Sequence, residues 1–314
     1  MTDVAAFIKQ VARGKHGSEH LSRDDARRAF AALLAPDADP LQLGAFLIAQ
    51  RIKGETSQEL IGFVEATRQS MPNHETIQAF KGAVDLPCYA GKRRAAHAYL
   101  VAALQARDAG IPVFVHGVSH ISGRITAWQV LQHEGIQQVY TLQDAAQCMH
   151  EKGMVYMDLA DISPDLYRIY QLRNRLGVRT FANTVARLLN PLQCSGQLNG
   201  FFHTPYAQYM AEANIGLQQA RSLIFMGAEG EPELYADRQK VAVLQEHDAM
   251  HNLQFSDAGF PAYPRNAIEP LADMMHHFQA MKQHPTDAEQ ARIARMFQAF
   301  RWASGVHIEE QPYA

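Results

Sequence analysis

The chain has 314 residues, 47% apolar and 19% charged, enough to bury a sizeable core and too ordinary in composition for a disordered scaffold or a coiled coil. A formal net charge of -3 gives no general attraction for nucleic acid, so any phosphate-binding surface has to be a local patch. Cys88, Cys148 and Cys194 are widely spaced and form no Cys-x-x-Cys pair, which argues against a disulfide framework or a zinc ribbon and predicts reduced thiols.

The chain begins with neither a basic leader nor an apolar run of membrane-spanning length, so a cytoplasmic protein without a membrane partner is expected. Val4, Phe7, Ile8 and Val11 recur at helical spacing, and Ser22-x-x-Asp25 and Thr56-x-x-Glu59 read as capping-box starts, with Gly14 and Gly54 as stops. Residues 1–72 are therefore predicted as a small all-helical domain. A polar link at 72–76 leads into short apolar runs at 83–86, 111–115, 154–157 and 223–226, which alternate with helical segments. That alternation predicts a larger α/β domain, residues 73–314, around a mostly parallel central sheet. A last helix is expected to start at Thr286-x-x-Glu289 and end near Trp302.

Charge is polarised along the chain. Between residues 86 and 133 the only acid is Asp108, against Lys92, Arg93, Arg94, Arg107 and Arg124. From 166 to 211 there is no acid, against Arg168, Arg173, Arg175, Arg179 and Arg187. Lys92-Arg93-Arg94 follows a predicted strand and precedes a predicted helix over 95–107, which places it at the carboxyl edge of the sheet, where α/β folds hold ligands.

The run LGAFLIAQRIKGET at 43–56 resembles the helical domain of anthranilate phosphoribosyltransferases and nucleoside phosphorylases, the glycosyltransferase family 3 fold. Val115-His116-Gly117 stands where that family has Lys-His-Gly, and the segment from Leu172 to Asn183, followed by Leu188-Leu189-Asn190-Pro191, agrees in order. The chain is similar to the YbiB-like branch, which is associated with nucleic-acid binding rather than a settled catalytic activity. The resemblance implies a homodimer formed through the helical domain, which helices of about 163–189 join to the rest. It also implies that Gly91, His116, Gly117 and Arg173 occupy ligand-site positions.

The departures from the enzyme pattern fall together. The family's Gly-Thr-Gly-Gly-Asp-Gly loop, whose backbone N–H groups cradle a diphosphate, is matched by Cys88-Tyr89-Ala90-Gly91-Lys92-Arg93. Its Asn-Ile-Ser-Thr segment is not recognisable in Arg94-Ala95-Ala96-His97. Of the Asp-Glu pair that holds magnesium only Glu233 remains, after Pro232, and Arg187 replaces a proline. No cofactor is expected, with magnesium required only if transferase activity persists.

These features predict a DNA- or RNA-binding protein that uses Lys92, Arg93, Arg94, Arg173, Arg175, Arg179 and Arg187 with little sequence preference. The alternatives are a phosphoribosyltransferase that takes a phosphoribosyl donor and an aromatic acid, and a non-catalytic adaptor. Three adjacent cations also suit a solvated turn, and Arg173 suits either an acid ligand or the capping of carbonyls. Tyr89, Tyr99, Tyr167 and Tyr170 fit base stacking or, more often, core positions. Arg13, Lys15 and His16 add charge or form a solvated loop. The pairs His247-x-x-x-His251, on one helix face, and His276-His277 do not amount to a zinc site.

Overall fold

A computed structural model describes residues 3–14, 16–201, 206–235, 237, 239–256, 261–268 and 270–305. Lys15 lies outside the described residues. The chain opens with helices α1 (Val4–Val11), α2 (Arg23–Leu34), α3 (Pro40–Lys53) and α4 (Ser57–Ser70). Asp3, Ser22, Asp39 and Thr56 cap them by accepting amide hydrogens of the first turn. The Thr56–Glu59 capping box does more than start α4, since the buried Glu59 carboxylate also accepts from Leu21 N, Gln50 Nε2 and Lys53 Nζ. One local motif thereby ties three helices together.

The remaining elements in chain order are β1 (Val84–Cys88), α5 (Ala98–Asp108), β2 (Val113–Gly117), α6 (Ala127–Leu131), β3 (Gln138–Val139), α7 (Leu142–Lys152) and β4 (Met154–Asp158). Next come α8 (Leu159–Ile162), α9 (Pro164–Tyr170), α10 (Arg173–Leu176), α11 (Ala182–Leu188), β5 (Gly196–Phe201) and α12 (Tyr206–Gly216). The chain continues with β6 (Arg221–Met226), β7 (Lys240–Glu246), β8 (Ala249–Phe255), α13 (Leu271–Gln283) and α14 (Asp287–Ser304).

The strands form one sheet of eight in the order β3-β4-β2-β1-β5-β6-β7-β8. It is parallel from β3 to β6 and antiparallel at β7 and β8. Successive strand residues point to opposite faces. Val113, Val115, Met154 and Tyr156 join a core with α5, α13 and α14, whereas Phe114, Val155 and Met157 face α7, α9, α11, α12 and the N-terminal helices. Phe30, Phe46 and Phe63 surround Phe181, which stacks on Phe63 at 4.2 Å between ring centroids, so the chain entering α11 is anchored inside the helical bundle. No helix among the described residues is long and apolar enough to cross a membrane.

Two expectations need correction. The helix predicted over 95–107 starts only at Ala98, because Lys92 and Ile125 exchange backbone hydrogen bonds and hold the preceding loop extended. His247 and His251 are not on a helix: His247 lies in the turn between β7 and β8, and His251 lies in β8. Arg168 serves packing, since its Nη2 donates to the carbonyls of Leu33, Leu34 and Ala35 at the open end of α2.

Candidate anion-binding site

The C-terminal ends of the central strands are in register, with Cys88 opposite Gly117 and Gly117 opposite Asp158, so the loops that follow them share one edge. Gly117 is pressed so close to β1 that a Cβ would lie 2.1 Å from the Cys88 carbonyl oxygen. His116 is fully buried, with Nε2 3.2 Å from Asp85 and Nδ1 2.7 Å from the Tyr89 hydroxyl. Gln197 donates to the same aspartate. His116 thus faces a polar network inside the domain rather than an open ligand surface.

The basic loop is not the solvent-facing patch that its sequence suggests. Lys92 is 0% exposed, and its Nζ lies 2.7 Å from each oxygen of Glu233 and 2.8 Å from the Ala96 carbonyl oxygen. Its charge is spent inside the protein, which removes it from the phosphate-binding set. Tyr89 and Tyr99 are also buried and cannot stack on bases. Arg93 remains exposed and Arg94 half-buried, but their backbone amides, like those of Ala90 and Gly91, are already engaged. Ala90 and Gly91 N–H donate to Glu231, and Arg93 and Arg94 N–H donate to Glu229.

The partner turn owes its position to glycine. A Cβ on Gly227 would meet the Glu231 carbonyl oxygen at 1.9 Å, and one on Gly200 would meet it at 2.5 Å. The backbone of 229–231 therefore lies directly on the ends of β5 and β6. Glu229 takes a left-handed φ of 55° and accepts from the Tyr263 hydroxyl as well as from the loop, with Arg124 3.7 Å away. Burial pushes the Glu231 carboxyl above the usual range, offset in part by Arg187 and the loop amides.

Beside this loop lies a cavity of about 280 Å³ lined by Arg51, Arg173, Arg179 and Arg187, with Thr180 and Asn183 between them. Ala90 and Gly230 lie on the wall nearest the loop. Among the described residues no carboxylate lines the cavity. Among the described residues none of Arg173, Arg175, Arg179 and Arg187 forms an ion pair with an acid. Burial, and then the charges of Arg173 and Arg187, pull Arg179 down to about 10. A guanidinium so affected lacks a counter-anion, and a phosphate or carboxylate would supply one in matching geometry.

The fold thus gathers Arg173, Arg179 and Arg187 at one place. Gly177, with φ 74°, ends α10 and turns Arg179 back toward the cavity, while the exposed Arg175 does not line it. Arg51, Glu229 and Glu231 escaped the sequence reading, and Glu233 entered it only as a remnant of the family's acid pair. Arg51 comes from the helical domain, inside a run that had meaning only as a resemblance. Glu229, Glu231 and Glu233 recur at every second position after β6, at the sheet edge of Lys92, and that alternation was a usable signal. Among the described residues no group of three or more His, Cys, Asp or Glu side chains could hold a metal ion.

A helical bundle joined to a largely parallel α/β sheet, with an arginine-lined cavity at the strand carboxyl ends, places the candidate site where α/β folds hold ligands. Residues 5–71 match the helical bundle domain of the glycosyl transferase family and residues 95–298 match its a/b domain, and the chain belongs to that family. It is similar to the uncharacterized protein YbiB of Escherichia coli (strain K12), with 34% identity over 76% of this chain and 74% of the relative. The anthranilate phosphoribosyltransferase of Methylobacterium nodulans shares 29% identity over 80% of this chain and 72% of its own length. Among solved structures, anthranilate phosphoribosyltransferase (TrpD) from Thermus thermophilus superposes with a TM-score of 0.75 at 21% identity, covering 97% of this chain and 90% of its own. The Saccharomyces cerevisiae enzyme in complex with PRPP and Mg gives 0.69 at 12% identity, over 95% and 89% of the two chains. At these identities the structural likeness speaks for the fold alone.

Proposed function

We propose that the chain is a nucleic-acid-binding protein built on the glycosyl transferase fold, holding phosphates largely without regard to base sequence in the arginine-lined cleft. The observation that carries this reading is the convergence of Arg51, Arg173, Arg179 and Arg187 on one cavity, with no carboxylate among its described lining residues. Arginine forks take phosphate oxygens two at a time, and each neutralised phosphate releases counterions, so binding should weaken steeply as salt rises. The test is a gel-shift series at increasing salt with single- and double-stranded DNA and RNA oligonucleotides. A linear fall of log affinity with log salt, similar for unrelated sequences, is the expected result. Absence of binding at low salt would remove the proposal.

A second reading is favoured by membership of the family and by the place of Arg173 on the cavity wall. In that reading the chain transfers a phosphoribosyl group from PRPP to an aromatic acid such as anthranilate, with magnesium. Magnesium-dependent turnover of the two substrates by the purified chain would establish it in place of the first.

The homodimer is proposed on the apolar groove between α1 and α3, where Leu41 and Ile52 are 79% and 81% exposed. A second copy covering them would bring two arginine clefts into one assembly. Light scattering should find a dimer that Leu41→Asp with Ile52→Asp converts to monomer, and a wild-type monomer at micromolar concentration would contradict it. The three free, buried cysteines fit the cytoplasmic setting proposed with this function.

A further inference from the structure

Loop 90–94 and turn 229–233 satisfy each other's charges. The ammonium of Lys92 has three N–H donors, and three acceptors surround it: both oxygens of Glu233 and the carbonyl of Ala96. Lys92 and Glu233 are each 0% exposed. Around them, four loop amides that could form an anion cradle are taken by carboxylates of the same chain, Ala90 and Gly91 by Glu231, Arg93 and Arg94 by Glu229. Tyr99 and Tyr263 donate their hydroxyls to the same two carboxylates.

We propose that Lys92 is a built-in cation on Glu233, and that Glu229 and Glu231 are built-in anions on the loop amides, so that this part of the cleft takes neither a divalent metal nor a diphosphate. The inference stands apart from the nucleic-acid reading, which concerns the arginine cavity beside it. The family implies a magnesium ion here, and the donor set does not fit one. Magnesium requires oxygen ligands in near-octahedral order at about 2.0–2.1 Å, but both oxygens of Glu233 already accept from an ammonium. A guanidinium nitrogen of Arg292 stands 3.7 Å from one of them. The other two carboxylates are turned onto N–H groups, and an N–H bonded to a carboxylate is not free for a phosphate oxygen.

The cation's role can be exposed by removing it. Lys92→Ala leaves the Glu233 carboxylate and the Ala96 carbonyl facing an empty space, which is oxygen chemistry suited to a divalent ion. On the anion side, Glu229→Gly frees the amides of Arg93 and Arg94, and glycine accepts the left-handed backbone at that position.

The experiment uses the full chain, with Mn²⁺ followed by electron paramagnetic resonance and pyrophosphate followed by calorimetry. Wild type should show no Mn²⁺ binding that Glu233→Gln abolishes, and no pyrophosphate binding that depends on the loop. Lys92→Ala should gain a Mn²⁺ site at least tenfold tighter than any in wild type and lose it again on adding Glu233→Gln. Glu229→Gly should bind pyrophosphate at least tenfold more tightly than wild type. A Glu233-dependent Mn²⁺ site in wild type would overturn the proposal, as would a folded Lys92→Ala or Glu229→Gly variant that gains nothing. Where Lys92→Ala does not fold, the wild-type and Glu229→Gly measurements decide.

Discussion

Glutamate at both Arg173 and Arg179 should weaken oligonucleotide binding by about a hundredfold or more. Each arginine removed forfeits a charge-assisted hydrogen bond of about 1.5–3 kcal/mol, each tenfold in affinity corresponds to about 1.4 kcal/mol, and the new carboxylates add repulsion. The slope of log affinity against log salt should flatten by roughly one for each phosphate no longer neutralised. Arg173 is exposed and Arg179 half-buried, and neither is paired with an acid among the described residues, so thermal stability should hold. Arg175→Glu is the control, since it reverses a charge in the same segment but lies outside the cavity lining. Fluorescence anisotropy on labelled single strands reads both. Equal losses for Arg175 and for the cavity pair would mean that general charge, not the cleft, binds the ligand.

Acid should unfold the protein early, and His97 should be a main reason. Its ring is 0% exposed, with Nε2–H donating to the Ile125 carbonyl oxygen at 3.1 Å. Burial first, and then the nearby charge of Lys92, hold it down from 6.5 to about 3. The unfolded chain therefore binds a proton that the folded chain refuses throughout that interval. Stability from this group is complete above pH 6.5 and declines by about 1.4 kcal/mol per pH unit as pH falls through the window toward 3. At pH 4.5 the loss is roughly 2–3 kcal/mol. His74, lowered to about 4 by burial and by Arg68, adds to the loss over the same range. Urea titrations between pH 7 and pH 4 should show a shallower decline for His97→Gln, whose amide retains a donor for Ile125. Parallel curves for variant and wild type would place the acid sensitivity elsewhere.

What could be read from the chain beforehand was local chemistry. The capping boxes at Thr56 and Thr286 depend on side chains three residues apart and form as the spacing predicts, and Gly177 ends its helix in the left-handed conformation. The four apolar runs became β1, β2, β4 and β6. Strand β5 was hidden because Gln197, Asn199 and two glycines break its apolar pattern, although Gln197 and Asn199 are fully buried and bonded to each other. Strand β8 was missed because it lies largely exposed at the sheet edge, so burial imposes little pattern on it, and β7 because Lys240 and Gln245 occupy buried positions in it and break its apolar run.

Lys92-Arg93-Arg94 shows the limit most clearly. Three adjacent cations look alike in sequence, yet the bridge to Ile125 sends the first inward to an acid 141 residues away and leaves the second in solvent. Nothing within the triplet distinguishes them. The arginines after Leu166 divided in the same way, with Arg168 capping α2 and Arg173 and Arg179 reaching the cavity. Which role each takes depends on the neighbouring helix ends, which are distant in sequence.

The turn wedged against Gly200 and Gly227 has an evolutionary consequence. An aspartate at position 92 would bury a second carboxylate beside Glu233, and a neutral residue at 233 would strand the Lys92 ammonium. Removing one partner of a buried pair typically costs about 3–5 kcal/mol, a large share of an ordinary domain's stability. Any lineage carrying this pair must therefore give up that much stability in the intermediate by which it leaves, whichever residue changes first. The lysine and its glutamate behave as a ratchet, able to outlast the selective pressure that first installed them.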